Sequence, residues 1–385
     1  MLKVLKEANI NNKIVLLRLD LNVPISQNKI VSNFRIIKSI PTIEHLIKNN
    51  NKIVILSHLG RPKEGEVDEK YSLKPVALYL SEKIKQNIIF EKNWVNGVDF
   101  KDSNIIMCEN VRFQNGEKLN SSELSRKISS LGDIFVFDAF GVSHRKESSA
   151  YGLIDLMDSY AGQLLENEIN NALMMISNPV NPLTTIISGA KISTKITLIS
   201  KLLNKSSHLI IGGGILNTFL FALGHNIGTS LFESDYVDEA KKIIKHKDFE
   251  KLIMPIDVVC SNNNSFDNPQ TKPISMVQSN DKILDIGAKS IDKYVDIIKK
   301  SSTVFWNGPL GYVEQGPYDT GTVKIAKAIA ISNCYSMVGG GDTLPIIEKL
   351  SLIDNFSYLS TGGGALLKFI EGKELPILKK LGAYT

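Results

Sequence analysis

Cysteine is scarce: Cys108, Cys260 and Cys334 are the only three in 385 residues, far apart and without a CxxC pair. That excludes a disulfide framework and a cysteine-based zinc site, and it points to a reducing compartment. Long apolar runs are also missing. The most apolar stretch, 209–223, is broken by Gly212, Gly213, Gly214 and Asn217, so it makes a poor membrane span. The N-terminal MLKVLKEANI lacks the apolar segment of a signal peptide, and a cytoplasmic chain is expected. The net charge is only +5, with no basic stripe interleaved with aromatics, so nucleic acid is not an expected partner. No GxxxxGK[ST] occurs and no clean GxGxxG opens a helix, which excludes a P-loop and weakens a dinucleotide reading. No apolar stripe stands out as an interface, and a monomer is expected.

What the chain does have is a recurring pattern. Apolar residues make up 43% and charged residues 22%, an ordinary globular balance, and the length calls for two or three domains. Short apolar runs fall at 14–19, 52–56, 104–107 and 134–137, then at 184–188, 208–211, 252–254, 303–306, 335–338 and 356–359. Each is followed by a polar or glycine-rich turn and a helical pattern. Runs without alternation suit strands buried on both faces, and intervening helices imply parallel pairing. The expected fold is α/β, with two doubly wound, Rossmann-like domains. A helical pattern over 162–177 ends at SNPVNP, where Pro179 and Pro182 stop it, and the division between 1–170 and 171–371 is expected beside it. The Asn-rich stretch 261–269 reads as a solvated excursion.

In open α/β sheets ligands bind beyond the carboxyl ends of the strands, so the residues that follow each run carry the information. In the first half these are RLDLNVP (18–24), SHLGRP (57–62), ENVRF (109–113) and DAFGVSHR (138–145), with Arg35 close behind at a helix start. Arg35, Arg61, Arg112 and Arg145, with His58 and His144, are thereby gathered near one sheet edge. Guanidinium forks match carboxylate and phosphate oxygens, which suggests a small, highly charged anion. The two histidines read as hydrogen-bonding supports rather than as acid or base.

The second half ends its strands on SGAKISTK (188–195), GGGILNTFL (212–220), WNGPLGYVE (306–314), GGGDT (339–343) and STGGGA (360–365). Glycine lets backbone amides approach phosphate oxygens closely, and together these junctions suggest one nucleotide-phosphate cradle. Lys191 and Lys195, four apart at an expected helix start, share a face and could span two phosphates. Asp342 is open to two readings, a Mg²⁺ contact or a helix N-cap.

Taken in order along essentially the whole chain, these motifs resemble those of the phosphoglycerate kinase family. The resemblance implies a bilobal enzyme that moves a phosphoryl group between 1,3-bisphosphoglycerate and ADP, giving 3-phosphoglycerate and ATP, with Mg²⁺ bound alongside the nucleotide. It implies 3-phosphoglycerate on the first domain, at Asp20, Leu21, Asn22, Arg35, His58, Leu59, Gly60, Arg61, Arg112 and Arg145. It implies nucleotide on the second domain, at Lys195, Glu314 (ribose), Gly340, Gly341, Asp342 and Thr343, with Asp342 toward the metal. Arg35, Lys191, Gly341 and Gly364 are implied around the moving phosphoryl, and a C-terminal peptide, 372–385, returns to the first domain. Ser188, Phe137, the Tyr312-Val313 pair, Lys146 and Glu147 depart from the family pattern.

The acceptor carboxylate is already ionised at neutral pH, so no general base is required and none of the motifs offers one. Alignment and charge neutralisation remain for the protein to supply. A nucleotide-binding regulator would use the same glycines, but it would have no need of the arginine set.

Overall fold

The computed structural model describes residues 2–262 and 266–384. They form two compact units, Met1–Ala172 with Gly364–Thr385, and Leu173–Gly363.

Among the described residues, the first unit is built on a six-stranded parallel sheet. Its strands are β1 (Ile14–Leu19), β4 (Lys52–Leu56), β5 (Ile88–Glu91), β6 (Ile105–Cys108), β7 (Ile134–Asp138) and β8 (Ser159–Ala161), after a small hairpin of β2 (Ile25–Ser26) and β3 (Lys29–Ile30). The order is β5-β6-β4-β1-β7-β8. The central strands are apolar throughout because both faces are covered, and β1 pairs with β4 in register Val15↔Ile53 and with β7 in register Leu16↔Phe135. The helices are α1 (Phe34–Lys48), α2 (Lys74–Ile84), α3 (Ser122–Ser129), α4 (Tyr151–Ile154) and α5 (Gln163–Ser177). Val15, Leu17, Ile36, Ile43, Ile53, Ile55 and Val76 are among the residues that close the core between sheet and helices.

The second unit repeats the plan. Strands β9 (Leu183–Ser188), β10 (His208–Gly212), β11 (Leu252–Ile253), β15 (Thr303–Asn307), β16 (Tyr335–Gly339) and β17 (Tyr358–Ser360) form a parallel sheet in the order β11-β10-β9-β15-β16-β17. Between β11 and β15 the chain makes a separate antiparallel sheet of β12 (Asp257–Asn262), β13 (Gln270–Pro273) and β14 (Asp281–Ile286). The helices are α6 (Ile196–Lys205), α7 (Gly213–Ala222), α8 (Val237–Ile244), α9 (Ala288–Lys299), α10 (Thr320–Ala330) and α11 (Leu344–Lys349). The doubly wound α/β reading holds for both units.

Helices α12 (Gly364–Ile370) and α13 (Pro376–Lys380) belong to the first unit. The returning segment therefore begins at Gly364, earlier than the 372 taken from the resemblance. The reason is packing: the Phe369 ring sits edge-on to Phe140, with centroids 6.1 Å apart, and Leu375, Ile377 and Leu378 are buried. Fully burying such a side chain contributes roughly 1.5–3 kcal/mol. The division between the units falls inside α5, between Ala172 and Leu173. Asp138, at the end of β7, fixes the start of α5 by accepting from the Leu165 amide at 2.7 Å and from the Thr42 hydroxyl at 2.6 Å.

Candidate active site

In each sheet the winding reverses across one strand. In the first unit β1 is flanked by β4, which continues outward to β6 and β5, and by β7, which continues to β8. In the second unit β9 stands in the same position between β10 and β15. Loops on either side of such a strand diverge and leave a crevice at the carboxyl edge, so the two sites are expected beyond Leu19 and beyond Ser188.

Beyond Leu19 the structure gathers a polar cluster of unusual density. Asp20 pairs with Arg35 on the first turn of α1. Burial opposes ionisation of the Asp20 carboxyl, but Arg35, by charge and by hydrogen bond, holds its pKa below the ordinary range. Asn22 accepts from the Gly60 amide at 2.9 Å, and the Leu21 amide donates to the Ser57 hydroxyl at 3.0 Å, so the loops after β1 and β4 are tied together. Leu59 is held through its carbonyl, which accepts from Asn110 at 2.8 Å. Arg112 donates to the Gly60 carbonyl at 2.8 Å and to Glu147 at 3.0 Å. Arg145 approaches the same Glu147 oxygen at 3.8 Å. Arg61 follows Gly60 on the exposed side of this loop.

Arg18 underlies the cluster and is fully buried. It donates to the Ser149 hydroxyl at 3.1 Å, to the Leu19 carbonyl at 2.6 Å and to Nδ1 of His58 at 3.3 Å. Ser149 in turn serves Glu117, whose carboxyl is pushed up to about 7 by burial and then by the neighbouring Glu147, against Arg18 and Ser149. His58 is driven well below its usual pKa, chiefly by burial. His144 is lowered to about 4 by burial, with Lys368 and Arg145 adding to the effect. Burial thus favours the neutral form of both rings.

Beyond Ser188 the chemistry differs. The loops after β9, β10 and β15 pack backbone to backbone. A Cβ on Gly213, whose φ is +62°, would lie 2.8 Å from the Gly189 carbonyl, and one on Gly308, whose φ is +95°, would strike the Ser188 carbonyl. Only glycine permits this closeness at these angles. The Ser188 hydroxyl donates to the Pro309 carbonyl and adds a further tie. Thr343 accepts from the Gly308 amide at 3.0 Å, linking the loops after β15 and β16. The Lys195 ammonium donates to the Ser188 carbonyl; burial lowers its pKa to about 8, partly offset by the charge of Asp342.

A cavity of about 410 Å³ opens beside these loops, lined by Gly189, Ala190, Gly213, Gly214, Glu314 and Asp342 among others. One wall is aromatic: Phe266 stacks on Tyr312 with centroids 5.3 Å apart, and the Tyr318 hydroxyl donates to the Phe266 carbonyl at 2.9 Å. A volume of this size suits a nucleoside, and a flat apolar wall with a few polar groups is the usual lining of such a site.

A model of the family described as phosphoglycerate kinase matches residues 5–373. The chain belongs to the phosphoglycerate kinase family. It is 45% identical to the phosphoglycerate kinase of Francisella philomiragia over 98% of this chain and 97% of that one. It is 46% identical to that of Buchnera aphidicola over 99% and 98%. The structure of phosphoglycerate kinase from Coxiella burnetii superposes with a TM-score of 0.87 at 41% identity, covering 100% of this chain and 99% of that one. The chain is accordingly a phosphotransferase with a carboxyl acceptor, and its reaction is the glycolytic one, between 1,3-bisphosphoglycerate with ADP and 3-phosphoglycerate with ATP. No helix among the described residues is long and apolar enough to cross a membrane.

Several expectations need correction. Lys191 and Lys195 do not share a helical face: Lys191 is extended, a 3-10 turn of Ile192–Thr194 follows, and α6 begins only after Lys195. The residue N-terminal to α11 is Thr343, not Asp342, so the capping reading of Asp342 falls. Of the stretch read as a solvated excursion, 261 and 262 end β12, 263–265 lie outside the described residues, and Phe266 forms part of the cavity wall. Gly341 belongs to the second unit and Gly364 to the first. Arg18, Glu117 and Phe266 were missed as site residues. Arg18 stood at the head of a quoted motif, but a strand residue inside an apolar run reads as core. Nothing in the Asn-rich loop marked Phe266.

Proposed function

We propose that the two units each hold one reactant, and that an in-line phosphoryl transfer takes place when they close with both bound. The single observation that supports this most is the contrast between the two switch points, guanidinium groups at one and glycine amides at the other. In this reading Asp20, Leu21, Asn22, His58, Leu59, Gly60, Arg61, Arg112 and Arg145 bind 3-phosphoglycerate. Lys195, Glu314, Gly340, Gly341, Asp342 and Thr343 bind the nucleotide. In the ATP-consuming direction a carboxylate oxygen of 3-phosphoglycerate forms the new bond to the γ-phosphorus. The bond to the bridging oxygen breaks, its electron pair stays on ADP, and no proton moves.

Arg35 and Lys191, with the amides of Gly341 and Gly364, neutralise charge on the transferring group. Preorganised donors of this kind are each worth roughly 3–4 kcal/mol in barrier. His58 takes no part as a base, since its Nδ1 lone pair is used by Arg18.

Among the described residues no group of three His, Cys, Asp or Glu side chains gathers to hold a metal. Two exposed carboxylates, Glu314 and Asp342, border the nucleotide cavity, and of these Asp342 is the one assigned toward the phosphates. Asp342 would hold Mg²⁺ arriving with the nucleotide phosphates, which with water would supply its other oxygen ligands. Bound there, the ion would offset phosphate charge. The chain acts as a cytoplasmic monomer without nucleic-acid or membrane partners; its three cysteines are buried free thiols. A coupled assay tests the proposal: ATP is consumed only with 3-phosphoglycerate and Mg²⁺ present. Equal rates in excess chelator would remove the metal, and a flat trace would favour a regulator.

A further inference from the structure

Glu147 is a carboxylate placed inside a cluster built to receive anions. Its side chain is 4% exposed. Oε1 accepts from Nη2 of Arg112 at 3.0 Å and lies 3.8 Å from Nη1 of Arg145. Oε2 lies 3.9 Å from Nη2 of the fully buried Arg18 and has no hydrogen-bond partner among the described residues. Arg112 uses Nη1 on the Gly60 carbonyl and Nη2 on Glu147, and its buried Nε has no partner either. A buried carboxylate with one oxygen unsatisfied costs stability unless nearby charges offset it. Three guanidinium groups on three separate segments do so here.

We infer that Glu147 is a resident counter-anion for this cluster: it holds Arg112 and Arg145 in place and weakens the binding of every anion that enters. The inference rests on the reading of the cluster as the substrate's anion site. Arg18, Arg112 and Arg145 would repel one another without a carboxylate between them. Glu147 removes that repulsion and fixes the Arg112 guanidinium by a charged hydrogen bond, which orders its remaining N–H donors before the ligand arrives. The same negative charge opposes an incoming phosphate. The site is thereby ordered without being strongly attractive, and a product anion can leave.

Glu147→Gln keeps an acceptor for Arg112 and removes the charge; Glu147→Ala removes both. Calorimetric titration with inorganic sulfate reads anion affinity without turnover, and KM for 3-phosphoglycerate reads it during catalysis. Glu147→Gln should bind sulfate about tenfold or more tightly than the parent, the scale of one unit charge at an effective dielectric of about 20. KM for 3-phosphoglycerate should fall in the same direction, with KM for MgATP unmoved. Glu147→Ala should gain less than Glu147→Gln, because Arg112 is no longer held. An unchanged or weaker sulfate affinity in Glu147→Gln would overturn the counter-anion role, and equal gains in both variants would overturn the positioning role. If Glu147→Gln does not fold, the Ala variant carries the test, and sulfate binding no tighter than the parent's refutes it. A chain inactive toward 3-phosphoglycerate would sink the proposed function and leave the sulfate result standing.

Discussion

Arg18 donates to Nδ1 of His58 at 3.3 Å, with both side chains buried. Arginine has no acceptor, so the Nδ1 lone pair must face it and the ring proton must sit on Nε2. Burial is the largest influence holding the ring neutral; Arg18, Arg112 and Arg35 add to it and Asp20 opposes it. The histidine should therefore show the Nε2–H tautomer by nitrogen NMR and should not titrate near the usual ~6.5. A ring that gains a proton there would contradict the arrangement.

Arg61→Ala or Arg145→Ala should weaken 3-phosphoglycerate binding and leave MgADP affinity nearly intact, because the guanidinium cluster and the glycine loops belong to different units. Truncating one partner of a charged hydrogen bond to a ligand costs about 2–5 kcal/mol when the site is desolvated, and the exposure of Arg61 puts it at or below the lower end. Calorimetry giving equal losses for both ligands would contradict the division.

The two lysines should separate kinetically. Lys191 is exposed and assigned to the moving phosphoryl, so Lys191→Met should lower kcat by roughly 10²–10³ and change nucleotide affinity far less. Lys195 anchors to the Ser188 carbonyl, and Lys195→Met should weaken nucleotide affinity first. Its ammonium, lowered to about 8 by burial, is charged below that pH and neutral above it. Phosphate binding favours the charged form, so parental nucleotide affinity should fall as pH rises through and beyond this value. In Lys195→Met that slope should vanish; the same slope in variant and parent would assign it elsewhere.

How much of this could be read from sequence depends on where the information lies. Strands such as β1 and β9 were plain because burial on both faces demands an unbroken apolar run. Strand β5 was not, since Ile88–Glu91 is only half-buried at a sheet edge, and β8 is three residues long. The antiparallel sheet of β12, β13 and β14 was missed because QTKP is largely exposed and carries no strand pattern, and because polar residues interrupt the short apolar runs of DVVCSN and DKILDI. Arg112 and Arg145 stood out as candidates because they follow strand ends in motifs, and Arg35 because it stands close behind one at a helix start. Glu147 was noticed only as a departure. That its carboxylate points among three guanidinium groups is a fact of tertiary packing, which spacing along the chain does not carry.

In the proposed mechanism, reactants held on separate units meet only when both are bound. Arg35 belongs to the first unit and Lys191 to the second, yet both are assigned to one phosphoryl group. In the proposed reading each ligand alone would contact mainly one unit, so neither would have much differential affinity for a closed state, and a ligand can shift an equilibrium only by that difference. Small-angle scattering measures this directly. The radius of gyration should change little with 3-phosphoglycerate alone or with a non-hydrolysable MgATP analogue alone, and should fall clearly with both; a full decrease with either ligand by itself would contradict the claim.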